Sequence, residues 1–271
     1  MSMGLGSEAG KNKRHRDRET GTLGKLVSLL DFVALADGPM RFTDILSLSE
    51  QPRGSLHRQL SHLVEEGLLE VDRDGRYRIG LRLLTLASRS WARNEFRAIA
   101  EPHLHCLQEV TGETVHLGVL RGAEVIYLDK VEGQQSVRMY SQVGNASPAY
   151  CTGVGKAALS VLDDAELTER ISGLEYRPYT EHTLRSPSEL LSDIGQIRAR
   201  GYAFDLEEHE NGICCVAAPI RSDDGHMLAG VSVTGPAYRV TQQRLQAWAP
   251  RVVVAADSIM MDMRNRMGPK R

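Results

Sequence analysis

The chain has 271 residues, 41% hydrophobic and 25% charged, the composition of a globular protein with enough apolar material for one or two cores. Its formal net charge of -2 excludes a uniformly basic coat, so any contact with DNA has to come from local basic surface. No apolar run approaches bilayer length and the N-terminus has no secretory h-region, which predicts a cytoplasmic protein with no membrane partner.

Residues 1 to 20 carry Lys11, Lys13, Arg14, Arg16 and Arg18 with almost nothing apolar, which predicts a disordered basic tail, either a solvated terminus or an arm for phosphates. From Gly21, Leu23, Leu26, Leu30 and Val33 recur at helical steps up to Asp37-Gly38-Pro39. A second short helix carries Ile45, Leu46 and Leu48, with the Thr43 hydroxyl as its expected cap. In the third, Pro52 is expected in the first turn, and Leu56, Leu60, Leu63 and Val64 form the apolar stripe up to Gly67. The opposite face of that helix shows Arg53, Ser55, His57, Arg58 and Ser61, side chains that donate to phosphates and base edges. Two short strands follow, Leu68 to Val71 and Tyr77 to Ile79, joined through Asp74-Gly75, with Arg73 and Arg76 at the tip. Three helices and a hairpin in this order predict a winged helix-turn-helix over residues 21 to 80 that reads a double-stranded DNA operator.

Leu81, Leu83, Leu84 and Leu86 run on without a breaker, predicting a linker helix over residues 81 to 95. A helix around "AIAEPHLHCLQEVTG" comes next, then strands over "ETVHLGVLRG", "AEVIYLDKVEG" and "SVRMYSQVG". Helices at "TGVGKAALSVL", "DDAELTERI" and "SPSELLSDIGQIRARG" and strands at "YAFDLEE", "GICCVAAPIRS" and "MLAGVSVTG" make residues 96 to 271 an α+β domain. It closes on a long helix that is expected to be interrupted or offset near Pro250.

No enzyme motif stands, and no catalytic residue, metal site or cofactor is expected. "GVGKAAL" lacks the spaced glycine of a phosphate-binding loop, where Tyr150 stands, and has Ala157 after its lysine instead of Ser or Thr. Its glycines suit either an anion seat at a helix N-terminus or close packing of helix on sheet. The four cysteines, Cys106, Cys151, Cys214 and Cys215, show no CxxC spacing. A nucleophilic set of Cys215, His209 and Asp205 can be drawn, but Cys214 and Cys215 point to opposite faces of a strand, so at most one meets a pocket. A redox sensor or small-molecule enzyme with a protein-binding N-terminal domain is the alternative function.

The stretches "PRGSLHRQLSHLVEEGLL", "DGRYRIGLRLLTLA", "TGVGKAALS", "RGYAFDLEEHENGICCVAAPI" and "GVSVTGP", in this order, resemble the IclR family of transcriptional regulators from about Gly21 to the last helix. Within that family the chain looks closest to regulators of sugar-acid and related carboxylate catabolism. The resemblance implies a winged helix, a dimer-forming linker helix and a GAF-like domain that binds a small organic acid. It also implies dimers or dimers of dimers on a palindromic operator, in many members as repressors. The effector pocket then falls on Met139, Gly153, Val154, Asp205, Ile213, Cys215, Ser232 and Thr234. On strand alternation, Ser232 shares a face with Thr234 and Ile213 with Cys215. A carboxylate is expected at the N–H groups near Gly153 and the hydroxyls of Ser232 and Thr234, with Asp205 accepting from a ligand hydroxyl, which favours hydroxy, keto or sugar acids. The chain departs from the family pattern at Glu50-Gln51, usually Gly then an apolar residue, at Gly54 for a common Ser, and at Gln59 for a common Leu.

Overall fold

The computed structural model describes residues 21–134, 141–222, 225 and 227–267. The basic tail and Met139 lie outside them. The chain divides into two compact units, residues 1–92 and 93–271.

In the first unit, α1 (Thr22–Ala34), α2 (Phe42–Ser49) and α3 (Arg53–Glu65) precede a hairpin of β1 (Leu69–Val71) and β2 (Tyr77–Ile79), and α4 (Leu81–Ala92) follows. The core is the predicted stripe: Leu29 and Val33 of α1, Ile45 of α2 and Leu56, Leu60 and Leu63 of α3 close on Leu69 of the hairpin. Three local expectations are corrected. Helix α2 starts one residue before Thr43, so Arg41 is its N-cap, and the Arg41 N–H donates to Asp44 Oδ2 at 3.0 Å. Pro52 stands at the N-cap of α3, where its fixed φ is accommodated outside the helix. The hairpin loop is longer than a two-residue turn. Gly75 N–H donates to Asp72 O at 3.1 Å and Asp72 N–H to Arg76 O at 2.9 Å, with Gly75 at φ 72°, a type I turn closed by a glycine bulge. Helix α4 ends at Ala92 because Asn94 caps the next helix, its side chain accepting the Arg97 N–H at 2.9 Å.

The second unit is a six-stranded antiparallel sheet with helices on both faces. Its elements are α5 (Glu95–Thr111), β3 (Thr114–Arg121), β4 (Glu124–Val131), β5 (Ala146–Pro148), α6 (Gly153–Ser160), α7 (Asp164–Ser172), α8 (Pro187–Arg200), β6 (Ala203–Leu206), β7 (Ile213–Arg221), β8 (Leu228–Pro236) and α9 (Gln242–Met267). The strand order is β5-β4-β3-β8-β7-β6. Alternation sorts each strand onto two cores. Val115, Leu117, Val216, Ala218, Val231 and Val233 face α5 and α9, whereas Leu120, Val125 and Ala217 face α6, α7 and α8. The expected break at Pro250 does not occur; α9 runs unbroken through it, and Val252, Ala256 and Ile259 keep its inner face buried in the core, which outweighs one lost backbone bond. The strand expected over "SVRMYSQVG" is not formed in its described part, which is a turn around Gly144; the edge strand is β5 instead. The mixed α and β architecture with an N-terminal helix-turn-helix is as the sequence indicates.

Candidate functional site

On α3, Leu56, Leu60 and Leu63 point inward, which turns Arg58 outward with Ser61 one turn on, while Ser55 is half-buried. Arg53 and His57, one turn apart, flank the side next to α2: the Arg53 guanidinium lies 5.3 Å from the Phe42 ring centre and the His57 ring 6.2 Å from it. Arg73 is exposed on the hairpin loop and Arg76 half-buried at its base. His62, exposed and four residues after Arg58, shares this face; its i+4 spacing was the signal that could have grouped it with the other basic residues of α3. Gly54 opens the same face and a Cβ there would meet nothing within 4 Å, so the glycine is not required by packing. Glu50 carries φ 52°, the left-handed conformation that explains why a glycine is the common residue at this turn.

In the second unit, the sheet face under α6 is polar at its centre. Register pairs put His116 of β3 beside Ser232 of β8, Thr234 beside Cys215 of β7, and Cys215 beside Asp205 of β6. All five are buried. Ser232 and Thr234 hydroxyls are 3.3 Å apart, and Thr234 Oγ1 is 3.2 Å from His116 Nδ1. His116 Nε2 lies 2.8 Å from Ser141 Oγ, and the Tyr127 ring stacks at 5.1 Å. Burial, aided by the Lys130 charge, pushes His116 down to about 3, so the ring is neutral at pH 7. Burial and the Glu208 carboxylate push Asp205 up to about 8, so it carries a proton at pH 7 while still accepting the Glu208 N–H at 2.8 Å. A neutral carboxyl of this kind both donates to and accepts from a ligand hydroxyl.

Gly153 is the first residue of α6 and has no room for a side chain: the place of a Cβ is filled by Cys215 Sγ, with Ala217 and Asp205 close behind. Its N–H is directed to the Cys215 thiol, and Thr152 accepts the Gly155 N–H on its hydroxyl at 3.3 Å and the Lys156 N–H on its carbonyl at 2.9 Å. Val154 packs on Gly118 and Gly230 in the α6 core, and Ile213 sits half-buried at the rim beside Pro236. The structure therefore brings Gly153, Asp205, Cys215, Ser232 and Thr234 together, places Ile213 at the margin, and adds His116, Tyr127 and Lys130. Those three were missed because the sequence offered them only as alternating positions of ordinary strands.

Lys156, the lysine of the rejected phosphate-loop motif, is buried and engaged by carboxylates. Its Nζ lies 2.5 Å from Glu208 Oε1 and 2.7 Å from Asp193 Oδ2, tying α6 to α8. Burial works against its charge, but the two carboxylates hold it above the ordinary lysine range. The thiols face the opposite problem: burial pushes Cys151 and Cys215 well above the usual cysteine range, Asp205 adding to it, which keeps them protonated and poorly nucleophilic.

Residues 22–73 match the IclR helix-turn-helix domain and residues 89–261 match the bacterial transcriptional regulator IclR C-terminal domain. The chain belongs to the IclR family. It is 33% identical to the HTH-type transcriptional regulator BhcR of Paracoccus denitrificans, over 97% of this chain and 92% of that one. It is 32% identical to the transcriptional repressor IclR of Escherichia coli, over 87% of each. Among solved structures it superposes on an IclR homolog from Microbacterium hydrocarbonoxydans complexed with 4-hydroxybenzoate, at TM-score 0.75 and 25% identity over 90% of this chain and 100% of that one. IclR-family proteins are DNA-binding transcriptional regulators, not enzymes, and this chain is one of them. Among the described residues, no helix is long and apolar enough to cross a membrane.

Proposed function

We propose that the chain is a cytoplasmic repressor of catabolic genes that releases a palindromic operator when a small organic acid, a hydroxy, keto or sugar acid, binds the polar sheet face under α6. The observation that carries this reading is the buried cluster of Asp205, His116, Cys215, Ser232 and Thr234 on one side of the sheet, beside Leu, Val and Ala. Arg53, Ser55, His57, Arg58 and Ser61 would contact the operator, with Arg73 and Arg76 on flanking phosphates. Helix α4 supports a dimer, since it has no buried residue and exposes Leu81, Leu84 and Trp91 at the three- and seven-residue offsets of a helix–helix seam. The repressor of the same family in Escherichia coli supports the sign of control, and the 4-hydroxybenzoate complex supports an acid as ligand.

The test is a mobility shift on DNA upstream of the protein's own gene, with and without a panel of hydroxy, keto and sugar acids. Specific binding lost on adding one acid supports the reading. Ser232→Ala with Thr234→Val should then raise the acid concentration needed by about tenfold while leaving operator affinity unchanged. Operator binding that every acid leaves untouched would sink the effector assignment.

A further inference from the structure

The outward line of α3 changes character along its length. Leu56, Leu60 and Leu63 fix the inward direction, and at about 100° per residue the opposite direction falls on Gly54, Arg58 and Glu65. All three are exposed. Arg53 and His57 fall instead on the flank towards α2, where both meet the Phe42 ring. Resting on the reading of this unit as the operator-binding one, we propose that α3 enters the major groove N-terminal end first, with the bare turn at Gly54 against the base edges and Arg58 reading a guanine in each half-site.

Charge sets the direction of entry. Arg53, His57, Arg58 and His62 precede Glu65 and Glu66, which close the helix. A helix laid evenly along the groove would press Glu65 on the DNA as closely as Arg58, and a carboxylate there is repelled by the phosphates. Tilting the N-terminal end inward removes that repulsion and keeps the cations in contact. Gly54 is then the residue nearest the groove floor. It weakens the helix relative to alanine, and a Cβ on it would meet nothing within 4 Å, so the fold does not ask for a glycine here. A ligand does: without a Cβ the backbone comes closer to the base edges than any other residue allows.

The two arginines then divide the work. Among the described residues no carboxylate pairs with Arg58, whereas Arg78 and Arg82 around the hairpin are held by Glu70 and Glu66. A guanidinium on the outward line one turn after Gly54 presents its fork to guanine O6 and N7, the pair of acceptors it fits best. Arg53 leans on Phe42 at the side of the helix, which suits a backbone phosphate and carries no sequence information.

Selection by the full-length protein from a duplex pool with a randomised core, followed by titration of selected and scrambled duplexes, tests this. The wild-type protein should select a guanine in each half-site. Arg58→Ala should lose that preference and weaken the selected duplex about tenfold, and Arg58→Gln should move the preference to adenine, whose N6 and N7 an amide pairs. Arg53→Ala should weaken selected and scrambled duplexes alike and reduce the slope of log affinity against log salt by about one. Gly54→Ala should weaken the selected duplex about tenfold, leave the scrambled one unchanged, and keep or raise the unfolding temperature, because alanine is the better helix former. A merely structural glycine would not move affinity and stability in opposite directions. Selected half-sites without a guanine, a guanine preference retained in Arg58→Ala, or wild-type affinity of Gly54→Ala for the selected duplex overturns this docking while leaving the protein an operator binder. Failure of the wild-type protein to prefer any duplex over a scrambled one overturns the operator reading as well.

Discussion

At the scale of single residues, two of the departures from the family pattern turn out to be stability effects with visible causes. Gln59 faces the interior of the first unit, and its Oε1 is buried with no hydrogen-bond partner among the described residues. Gln59→Leu should therefore stabilise that unit by about 1 kcal/mol, read as a higher urea midpoint; an unchanged or lower midpoint would show that the amide finds a partner in solution. Glu50 bears a similar local cost in its left-handed conformation, invisible in sequence until a backbone torsion is known. The titrating groups of the second unit give a pH signature. Folded Asp205 keeps its proton to about 8 against an ordinary value of 3.8, so the unfolded chain binds fewer protons over that range. Its contribution to stability falls as pH rises from about 4 to 8. Folded His116 is neutral down to about 3 against an ordinary 6.5, so its contribution falls as pH drops below 6.5. Asp205→Asn should remove the fall in unfolding temperature between about pH 4 and 8 and leave the His116 effect at lower pH; an unchanged fall over that window would mean Asp205 is ionised in the folded protein.

At the scale of elements, most of the helices were legible because apolar residues at three- and four-residue steps have one physical solution, a stripe turned to the core. Leu56, Leu60 and Leu63 of α3 show it plainly. Helix ends were less legible. Thr43 looked like a cap, but Asp44 three residues after Arg41 reaches back to its N–H and sets the start one residue earlier. Pro250 looked like a break, but a local propensity of this kind yields when both flanks are held in a core. Helix α4 is the element whose sequence and structure disagree most usefully. It is strongly amphipathic, yet Leu81 and Leu84 remain 69% and 67% exposed. Such a face is expected to be covered by a second copy. Leu84→Lys should shift the mass measured by light scattering from dimer to monomer and weaken operator binding with it, since two half-sites bind more tightly than one. A dimer mass unaffected by that change would place the dimer contact elsewhere.

At the scale of the whole molecule, regulation requires two separable binding activities in one chain. Arg58 lies on the exposed face of α3, in the first unit, and the polar sheet face lies in the second. Arg58→Ala should weaken the operator complex by about tenfold at moderate salt without moving the acid titration curve. Operator affinity equal to wild type would remove Arg58 from the interface. Under the proposed regulation, the acid must bind the operator-free protein more tightly than the operator-bound one, and the ratio of those affinities bounds the size of the response.

The sequence by itself determined the family, most of the element order, the exposed basic face of α3 and the strand faces on β7 and β8 that carry Ile213 with Cys215 and Ser232 with Thr234. Periodicity and a few ordered motifs suffice for these, because they are properties of neighbours along the chain. Only the tertiary structure decided which strand lies beside which. His116 and Ser232 are 116 residues apart in sequence and cross-strand partners in space, and Lys130 joins them through a pairing that no local pattern encodes. It also decided that Lys156 is a buried tie to Glu208 and Asp193 rather than an anion binder, and that Cys215 occupies the space beside Gly153. Long-range register is set by the burial of whole faces against helices, a collective property of the packed sheet, and so the site's charge pattern exists only once the sheet is assembled.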